Sequence, residues 1–306
     1  MFRDSQVEFD IVPKAFFSLI AKELYKQAFE HSDSLGENVE INDISPALSV
    51  AKEDLYKELS TELGISVESA SEAHKIVYDN RYSRFNALID SKFYKHKLIE
   101  LIEQFENRDD INITNYITDN ADIPTLFEYV LGIIWYRISE KKGDILNYMK
   151  LSLDADLLPK THAGGGTADI IYEYNMTTSY PKHTLLIEAT LSEKAGQRVM
   201  EIEPVTRHLG EYLANNSIEA YSIFVPTYLN PNIVTDFRMR KNYPYFANNG
   251  EYVNGMKIIP LQTSEVKLIL QKEITYDVIY TLFNNAHQSD IDVTEWYEKE
   301  IVNSLK

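Results

Sequence analysis

The sequence predicts an α/β (α+β) fold in which a mixed central sheet is flanked by helices and preceded by a helical N-terminal region. Short apolar runs of strand length lie at 170–172, 185–187 and 219–225. Apolar residues at helical spacing dominate the segments before and between these runs. We therefore expect a helical linker or docking region over residues 1–120 and a sheet-containing core over residues 121–306.

The composition indicates a chain that can build a hydrophobic core. Hydrophobic residues make up 44% of the 306 residues and aromatic residues 12%, which argues against wholesale disorder. The absence of cysteine excludes disulfides, zinc–thiolate sites and cysteine nucleophiles, and it suits a reducing cytoplasm. The sequence has neither a stretch of about 18 apolar residues nor a signal-peptide pattern. We therefore expect a cytoplasmic protein that does not enter a membrane.

Helices are expected throughout the first 120 residues, at 14–30, at 45–64, from Ser66 onwards and at 91–105. Gly64 separates the second helix from the third, and Ser66 is a candidate N-cap. These two helices have the outline of a helix-turn-helix, for which DNA reading and structural packing are both open interpretations. The polar, acidic segment 108–120 marks the expected boundary with the core.

The first core helix is expected at 124–138, where Pro124 suits the first turn. This segment is almost wholly apolar and contains a single acidic residue, Glu128. A helix this apolar is buried, and a buried carboxylate needs a partner or a metal ion. Glu128 is therefore either a capping or ion-paired residue near the helix N-terminus or part of a functional site.

Two acidic residues lie at the ends of expected neighbouring strands. Asp169 precedes the run at 170–172, and Glu188 follows the run at 185–187, with Thr190 two residues later. Alternation along a strand puts Glu188 and Thr190 on one face. Adjacent strands would thus bring together two carboxylates and a hydroxyl, which is an oxygen-rich arrangement that holds a hard divalent cation.

The helix expected at 199–214 offers a third acid. Glu201 and His208 lie along one side of this helix, while Glu203 and Arg207 have the spacing of an ion pair. Either Glu201 or Glu203 can complete the acid cluster. His208 beside a carboxylate can bind phosphate or orient a water molecule, although a lone histidine is more often structural.

The remainder of the core is expected to contain strands at 219–225 and 255–261 and helices at 232–239, 263–270 and 276–306. A basic-aromatic patch follows the first of these helices, and it consists of Arg238, Arg240 and Lys241 with Tyr243 and Tyr245. Such patches contact the nucleic-acid backbone, although an exposed loop is the simpler interpretation.

Three blocks of sequence, in order, resemble the AlwI-type restriction endonucleases, which are similar to the PD-(D/E)XK nucleases. The blocks are Gly165-Gly166-Thr167-Ala168-Asp169-Ile170, Glu188-Ala189-Thr190-Leu191 and Arg207-His208-Leu209. In PD-(D/E)XK nucleases an Asp begins one strand and an (Asp/Glu)-X-Lys triplet lies on the next. Here Thr190 stands at the position of the lysine. The resemblance runs from about Tyr78 to the C-terminus.

The resemblance implies a metal-dependent endonuclease that hydrolyses DNA phosphodiester bonds, with Mg²⁺ as its cofactor and Mn²⁺ able to replace it. The implied metal ligands are Asp169, Glu188, the backbone carbonyl of Ala189, and Glu128. Related nucleases have an acid on the helix before the sheet and another after the central Glu, which implies catalytic roles for Glu128 and Glu201. Thr190 would then orient the attacking water through its hydroxyl. Arg207 and His208 join Arg238, Arg240 and Lys241 as candidates to contact the DNA backbone.

The net charge of −17 conflicts with unaided DNA binding, because phosphate contacts normally require a basic surface. The first 120 residues contain 13 Lys and Arg against 23 Asp and Glu, so no basic recognition domain precedes the core. Some enzymes resembling this chain divide recognition and cleavage between subunits. This implies the cleavage subunit of a type IIS-like restriction or nicking enzyme, whose second subunit supplies recognition of double-stranded DNA. The alternative is a noncatalytic acidic subunit or interaction protein that keeps the nuclease fold.

Overall fold

The computed structural model describes residues 52–64, 66–161 and 166–306. The helix expected at 14–30 and the first part of the helix expected at 45–64 lie outside the described residues. By their contacts, the described residues form two units, those up to Leu88 with Ala155–Leu157, and Ile89–Asp154 with Leu158–Lys306. The expected boundary at residue 120 falls inside the second unit, and the division of roles at that residue stays a prediction. None of the described helices is long and apolar enough to cross a membrane.

Two helices account for most of the described part of the first unit. Helix α1 spans Lys52–Leu63, and α2 spans Ala70–Lys92 and continues into the second unit. Gly64 follows α1 with a φ of +66°, a left-handed conformation that glycine adopts at helix ends. The N-cap of α2 is Ser69 rather than the expected Ser66, because the Ser69 hydroxyl accepts a hydrogen bond from the Glu72 amide at 3.2 Å.

Helices precede the sheet in the second unit, and they are α3 (Lys95–Glu106), α4 (Asp110–Tyr116), α5 (Ile123–Ile138) and α6 (Ile145–Tyr148). The helix expected at 91–105 is divided, since α2 ends at Lys92 and α3 begins at Lys95. Part of the polar segment 108–120 is helical as α4. Helix α5 matches the helix expected at 124–138.

A mixed central sheet has the strand order β3-β4-β5-β8. Its strands are β3 (Ile170–Tyr174), β4 (His183–Thr190), β5 (Ala220–Pro226) and β8 (Ile258–Pro260). Strands β3 and β4 are antiparallel, whereas β4, β5 and β8 are parallel. This confirms the expected mixed sheet flanked by helices. A short antiparallel pair, β1 (Ser152–Leu153) and β2 (Pro159–Thr161), precedes it.

The connections between the strands contain α7 (Lys194–Asn215), α8 (Pro231–Met239) and the hairpin of β6 (Tyr245–Phe246) and β7 (Tyr252–Val253). Helix α7 begins at Lys194, five residues before the start of the helix expected at 199–214. Pro204 lies inside α7 and has no amide hydrogen to bond to the carbonyl of Met200. After β8 the chain ends in α9 (Thr263–Lys272), α10 (Tyr276–Gln288), α11 (Val293–Trp296), a π-helix (Tyr297–Val302) and α12 (Asn303–Leu305).

The two faces of β4 contact different helices. On the face with even-numbered residues, the hydroxyls of Thr184 and Tyr212 of α7 lie 2.9 Å apart. On the opposite face, Nε2 of His183 lies 2.6 Å from the hydroxyl of Tyr276 in α10. The indole of Trp135 in α5 donates to the hydroxyl of Tyr174 in β3 at 2.9 Å. Residues that alternate along β4 are therefore buried against different partners.

Aromatic rings fill the core between the sheet and helices α5 and α10. Tyr174 and Tyr276 stack with ring centroids 3.7 Å apart, and the hydroxyls of Tyr276 and Tyr221 lie 2.6 Å apart. Burial lowers the pKa of His183 to about 4, so its ring is neutral at neutral pH. The polar atoms of these rings bond to one another, which removes the cost of burying them unpaired.

The β6–β7 hairpin is fastened to α7. A Cβ atom on Gly210 would lie 2.2 Å from the ring of Tyr245, so glycine is required for this close approach. The Tyr245 hydroxyl and the Asn248 amide each donate to the carboxylate of Glu211 at 2.9 Å. The β6–β7 hairpin therefore packs against α7, the helix that follows β4, and stabilises its position.

Candidate active site

Asp169 lies directly before β3, opposite the end of β4. Gly166, three residues before Asp169, has a φ of +111°, a backbone conformation that residues other than glycine rarely adopt. Ile170 pairs with Ile187, and extending this antiparallel register by one residue sets Asp169 across from Glu188. The Asp169 Oδ2 atom accepts a hydrogen bond from the Ala189 amide at 2.8 Å. The strand-end acids that the sequence predicts are therefore neighbours.

Glu188 ends in a buried contact with α7. Only 7% of the residue is exposed, and its Oε1 atom lies 2.8 Å from Nδ1 of His208. Within the part of the chain that the structure describes, Nε2 of His208 is buried without a partner. The ring therefore holds one oxygen of the Glu188 carboxylate and keeps a second nitrogen directed into the protein.

Thr190 is bound on both sides. Its hydroxyl donates to Oε1 of Glu201 at 2.6 Å and accepts from the Ser192 amide at 3.0 Å. Glu203, by contrast, is 68% exposed at its side chain and pairs with Arg207 at 2.8 Å. Of the two acids left open by the sequence, the structure brings Glu201 to β4.

Glu128 belongs to the same region, and among the described residues it neither caps α5 nor forms an ion pair. The cap of α5 is Asp122, whose side chain accepts from the Thr125 amide at 3.0 Å. Glu128 is 8% exposed, and its Oε2 atom is buried with no hydrogen-bond partner among the described residues. Burial, followed by the charge of Asp169, raises the pKa of Glu128 to about 8.

Burial is also the largest cause that raises the pKa values of the strand-end acids, Asp169 and Glu188. Burial and then the charge of Glu188 raise the pKa of Asp169 to about 7, although the Ala189 amide opposes this shift. Burial also raises the pKa of Glu188, against the favourable contact with His208. These carboxylates resist ionising together, and a bound cation would relieve their repulsion.

The residues present fit a hard divalent cation, with waters completing its shell. No group of three or more acids or histidines among the described residues forms a ready-made metal cage. Mg²⁺ does not need one, because it commonly binds one or two carboxylates and keeps several waters. In a strand the amide and carbonyl of one residue point to the same side, so the Ala189 carbonyl faces the side of Asp169.

The expected basic-aromatic patch is largely committed to internal contacts, which corrects the picture of a free surface. Arg238 donates to the carbonyl oxygens of His287 (at 2.9 Å) and Ser289, and it lies 4.9 Å from the Trp296 ring. Lys241 pairs with Asp290 at 3.1 Å. Only a sequence-distant segment supplies these partners, so local composition could not reveal them. Arg240, at the C-cap of α8, remains a DNA-backbone candidate.

One polar residue of this region carries no sequence signal. Gln197 lies before the helix expected at 199–214, yet none of its surface is exposed. Its side-chain amide bonds to the loop that follows β4 and to the loop that follows β5. A glutamine among polar residues gives no indication of such burial.

In the metal-free protein, we expect the contribution of Glu128 to make the free energy of unfolding fall as pH rises from 4.5 to about 8. Across this range the unfolded chain loses the Glu128 proton that the folded protein keeps, so higher pH favours unfolding. Glu128→Gln should make this fall shallower in denaturant titrations with a chelator present.

Glu203→Gln is the matched control, because it removes an exposed carboxylate from α7. It should leave the pH dependence close to that of the wild type. A Glu128→Gln profile that parallels the wild-type profile would contradict the assignment of a raised pKa.

Comparisons with known proteins agree with the nuclease resemblance. No curated protein sequence matches the chain. Among solved structures, it is similar to the small subunit of the heterodimeric restriction endonuclease R.BspD6I, with 19% identity and a TM-score of 0.49, covering 68% of this chain and 97% of that one. It is also similar to the restriction endonuclease FokI bound to DNA, with 12% identity and a TM-score of 0.39, covering 93% of this chain and 49% of that one.

The family comparison covers most of the chain. The model of the AlwI restriction endonuclease family matches residues 10–269, a range that includes α5, the central sheet and α7. The three sequence blocks and the acids they contain lie inside this match. The chain belongs to the AlwI restriction endonuclease family.

Proposed function

We propose that this protein is a metal-dependent DNA endonuclease with a PD-(D/E)XK-type core that hydrolyses phosphodiester bonds. The observation that carries the proposal is that Asp169 and Glu188 lie across from each other, where β3 begins and β4 ends. Glu188 is buried and Asp169 is half-buried, and burial with the charge of neighbouring carboxylates raises the pKa of each. Membership of a restriction endonuclease family supports DNA as the substrate.

Asp169, Glu188 and the Ala189 carbonyl would hold Mg²⁺, or Mn²⁺ in its place. The cation supplies charge neutralisation at the scissile phosphate and an acidified water. His208 keeps the Glu188 carboxylate in one orientation through its Nδ1 contact. Glu128 contributes another carboxylate, which holds its proton while the cation is absent and can release it for metal binding.

Thr190 acts together with Glu201. In many PD-(D/E)XK nucleases, a lysine orients the attacking water. The Thr190 hydroxyl instead directs its proton to Glu201 and receives the Ser192 amide. Its remaining lone pair can accept a hydrogen bond from water, so the pair would orient the nucleophile without a positive charge. This differs from the expectation that the hydroxyl proton itself is free for the water or the phosphate.

Asp169→Asn and Glu188→Gln should abolish plasmid cleavage and the heat of Mg²⁺ or Mn²⁺ binding in calorimetry. Each removes a metal-binding charge while keeping the side-chain shape. Their melting temperatures should be unchanged or raised, because the substitutions relieve repulsion between buried acids.

Glu203→Gln serves as the control, since Glu203 is exposed and paired with Arg207. It should retain both metal binding and cleavage. Wild-type cleavage by either acid variant would contradict the assigned site. A wild-type chain that binds no divalent cation would favour the noncatalytic acidic subunit instead.

Thr190→Val should lower kcat by about 10²-fold, in the range seen when a positioned catalytic group is removed. Valine keeps the branched shape but loses the hydroxyl that joins Ser192 to Glu201. Thr190→Ser should retain much of the activity, because serine preserves that hydroxyl. Single-turnover cleavage rates measure both variants, and equal rates for threonine and valine would remove this residue from the mechanism.

The proposed biological unit is the cleavage subunit of a type IIS-like restriction or nicking enzyme. The net charge of −17 repels DNA over a Debye length of about 8 Å at physiological salt. Two candidate cations, Arg238 and Lys241, are used in internal contacts and do not offset this charge. A second subunit would supply sequence recognition, and the N-terminal region would serve as its docking surface.

The purified chain alone should bind double-stranded DNA with a Kd no tighter than the nonspecific range of about 10⁻⁴–10⁻⁶ M. It should cut or nick weakly and without sequence preference, because recognition is supplied elsewhere. Electrophoretic mobility shift at about 0.15 M salt measures this. A tight, sequence-specific complex formed by this chain alone would overturn the two-subunit proposal and return attention to α1 and α2 as a reading unit.

A further inference from the structure

We propose that Gln197 is a positioning residue that holds the loop after β4 and, through it, the Thr190 hydroxyl. This inference rests on the proposed nuclease function. Gln197 lies in the first turns of α7 and is completely buried. It touches neither of the strand-end acids in its hydrogen bonds, and it acts on the backbone around them.

The side chain of Gln197 satisfies three backbone groups in two loops. Its Nε2 atom donates to the carbonyl of Ser192 at 2.9 Å and to the carbonyl of Tyr228 at 2.5 Å. Its Oε1 atom accepts from the Asn230 amide at 2.9 Å. One side chain therefore connects the loop that leaves β4 with the loop that leaves β5.

These partners determine the orientation of the amide group. Two carbonyl oxygens require the two hydrogens of the NH₂ group, and the Asn230 amide requires the oxygen. A reversed amide would direct oxygen at two carbonyls and nitrogen at a donor. Because burial makes unpaired polar groups costly, the side chain is held in this one arrangement.

The contact with Ser192 passes directly to Thr190. The amide of Ser192 donates to the Thr190 hydroxyl, which in turn donates to Glu201. Gln197 and Glu201 are one helical turn apart on α7, so the same side of the helix holds the loop and the hydroxyl. Release of the Ser192 carbonyl would free the loop that orients the Thr190 oxygen.

The second loop, which follows β5, is held in place by hydrogen bonds that do not involve Gln197. The Leu229 amide of that loop donates to Oε1 of Gln262 at 3.2 Å. Asn230 also caps α8, since its side chain accepts from the Asn232 amide at 3.0 Å. The loop after β5 is therefore anchored independently of Gln197, and Gln197 transfers that anchorage to the loop after β4.

Gln197→Met tests the proposal, because methionine approximates the length of glutamine without its hydrogen bonds. With Mg²⁺ and DNA saturating, kcat should fall by about 10- to 100-fold, as expected when a catalytic group is displaced by a fraction of an ångström to 1 Å. The KM for DNA and the Mg²⁺ concentration at half-maximal rate should change by less than about 3-fold. These bonds of Gln197 do not involve the proposed metal-binding acids, which lie before β3 (Asp169), in β4 (Glu188) and in α5 (Glu128).

A double-mutant cycle with Thr190→Val separates positioning from general destabilisation. If Gln197 acts through Thr190, its substitution should cost little further activity once the hydroxyl is gone. Gln104→Met is the matched control, because Gln104 lies in α3 and its side-chain amide donates to Glu100 rather than to either loop. It should retain most of the wild-type kcat. Additive losses in the cycle, or an equal loss in Gln104→Met, would overturn the proposal.

Amide hydrogen exchange gives a readout that does not depend on cleavage. In Gln197→Met the amides of Ser192 and Asn230 should exchange about 10-fold faster or more, while that of Leu186 within β4 stays unchanged. Unchanged exchange at Ser192 would refute the proposal. A wild-type chain that neither cuts DNA nor binds a divalent cation would refute the nuclease function, and exchange would still decide the role of Gln197. Should the methionine variant fail to fold, Gln197→Asn, which shortens the reach by one methylene, must show faster Ser192 exchange.

Discussion

Burial of like-charged carboxylates where β3 begins and β4 ends is the constraint on which the rest of the structure depends. Asp169, Glu188 and Glu128 are largely withdrawn from water, which raises the pKa of each, and the charges of Asp169 and Glu188 raise that of Glu128 further. Among the described residues, the Ala189 amide and the His208 ring oppose this cost through direct hydrogen bonds to Asp169 and Glu188. A fold with this site is therefore stabilised elsewhere, and a bound cation would relieve the repulsion between the acids.

The aromatic core on the opposite face of the sheet supplies that stabilisation. Stacked rings such as Tyr174 and Tyr276 bury large apolar areas, and their hydroxyls find partners within the same cluster. This core fixes the face of β4 that carries His183, and the alternation of the strand then fixes the face that carries Glu188. Packing on one side of the sheet thus determines the direction of the acids on the other.

Strand alternation and register explain why the sequence predicted Asp169 and Glu188 as neighbours, since two short apolar runs leave few ways to pair. The choice between Glu201 and Glu203 was beyond the sequence, because it depends on the rotation of α7 against β4. The internal contacts of the basic patch were beyond the sequence for a related reason. The carbonyl groups that Arg238 binds lie at the end of α10, far away in sequence.

Pro204 divides α7 into two segments, one on each side of the proline. Because proline has no amide hydrogen, one backbone hydrogen bond is missing between the turn of Glu201 and the turn of His208. The first segment is bound to the loops after β4 and β5 through Gln197, whereas the second is bound to the sheet through His208. Bending concentrates where a hydrogen bond is missing. Bending of the helix would therefore concentrate at this proline, where displacements of the loops would be absorbed without loss of the contact between His208 and Glu188.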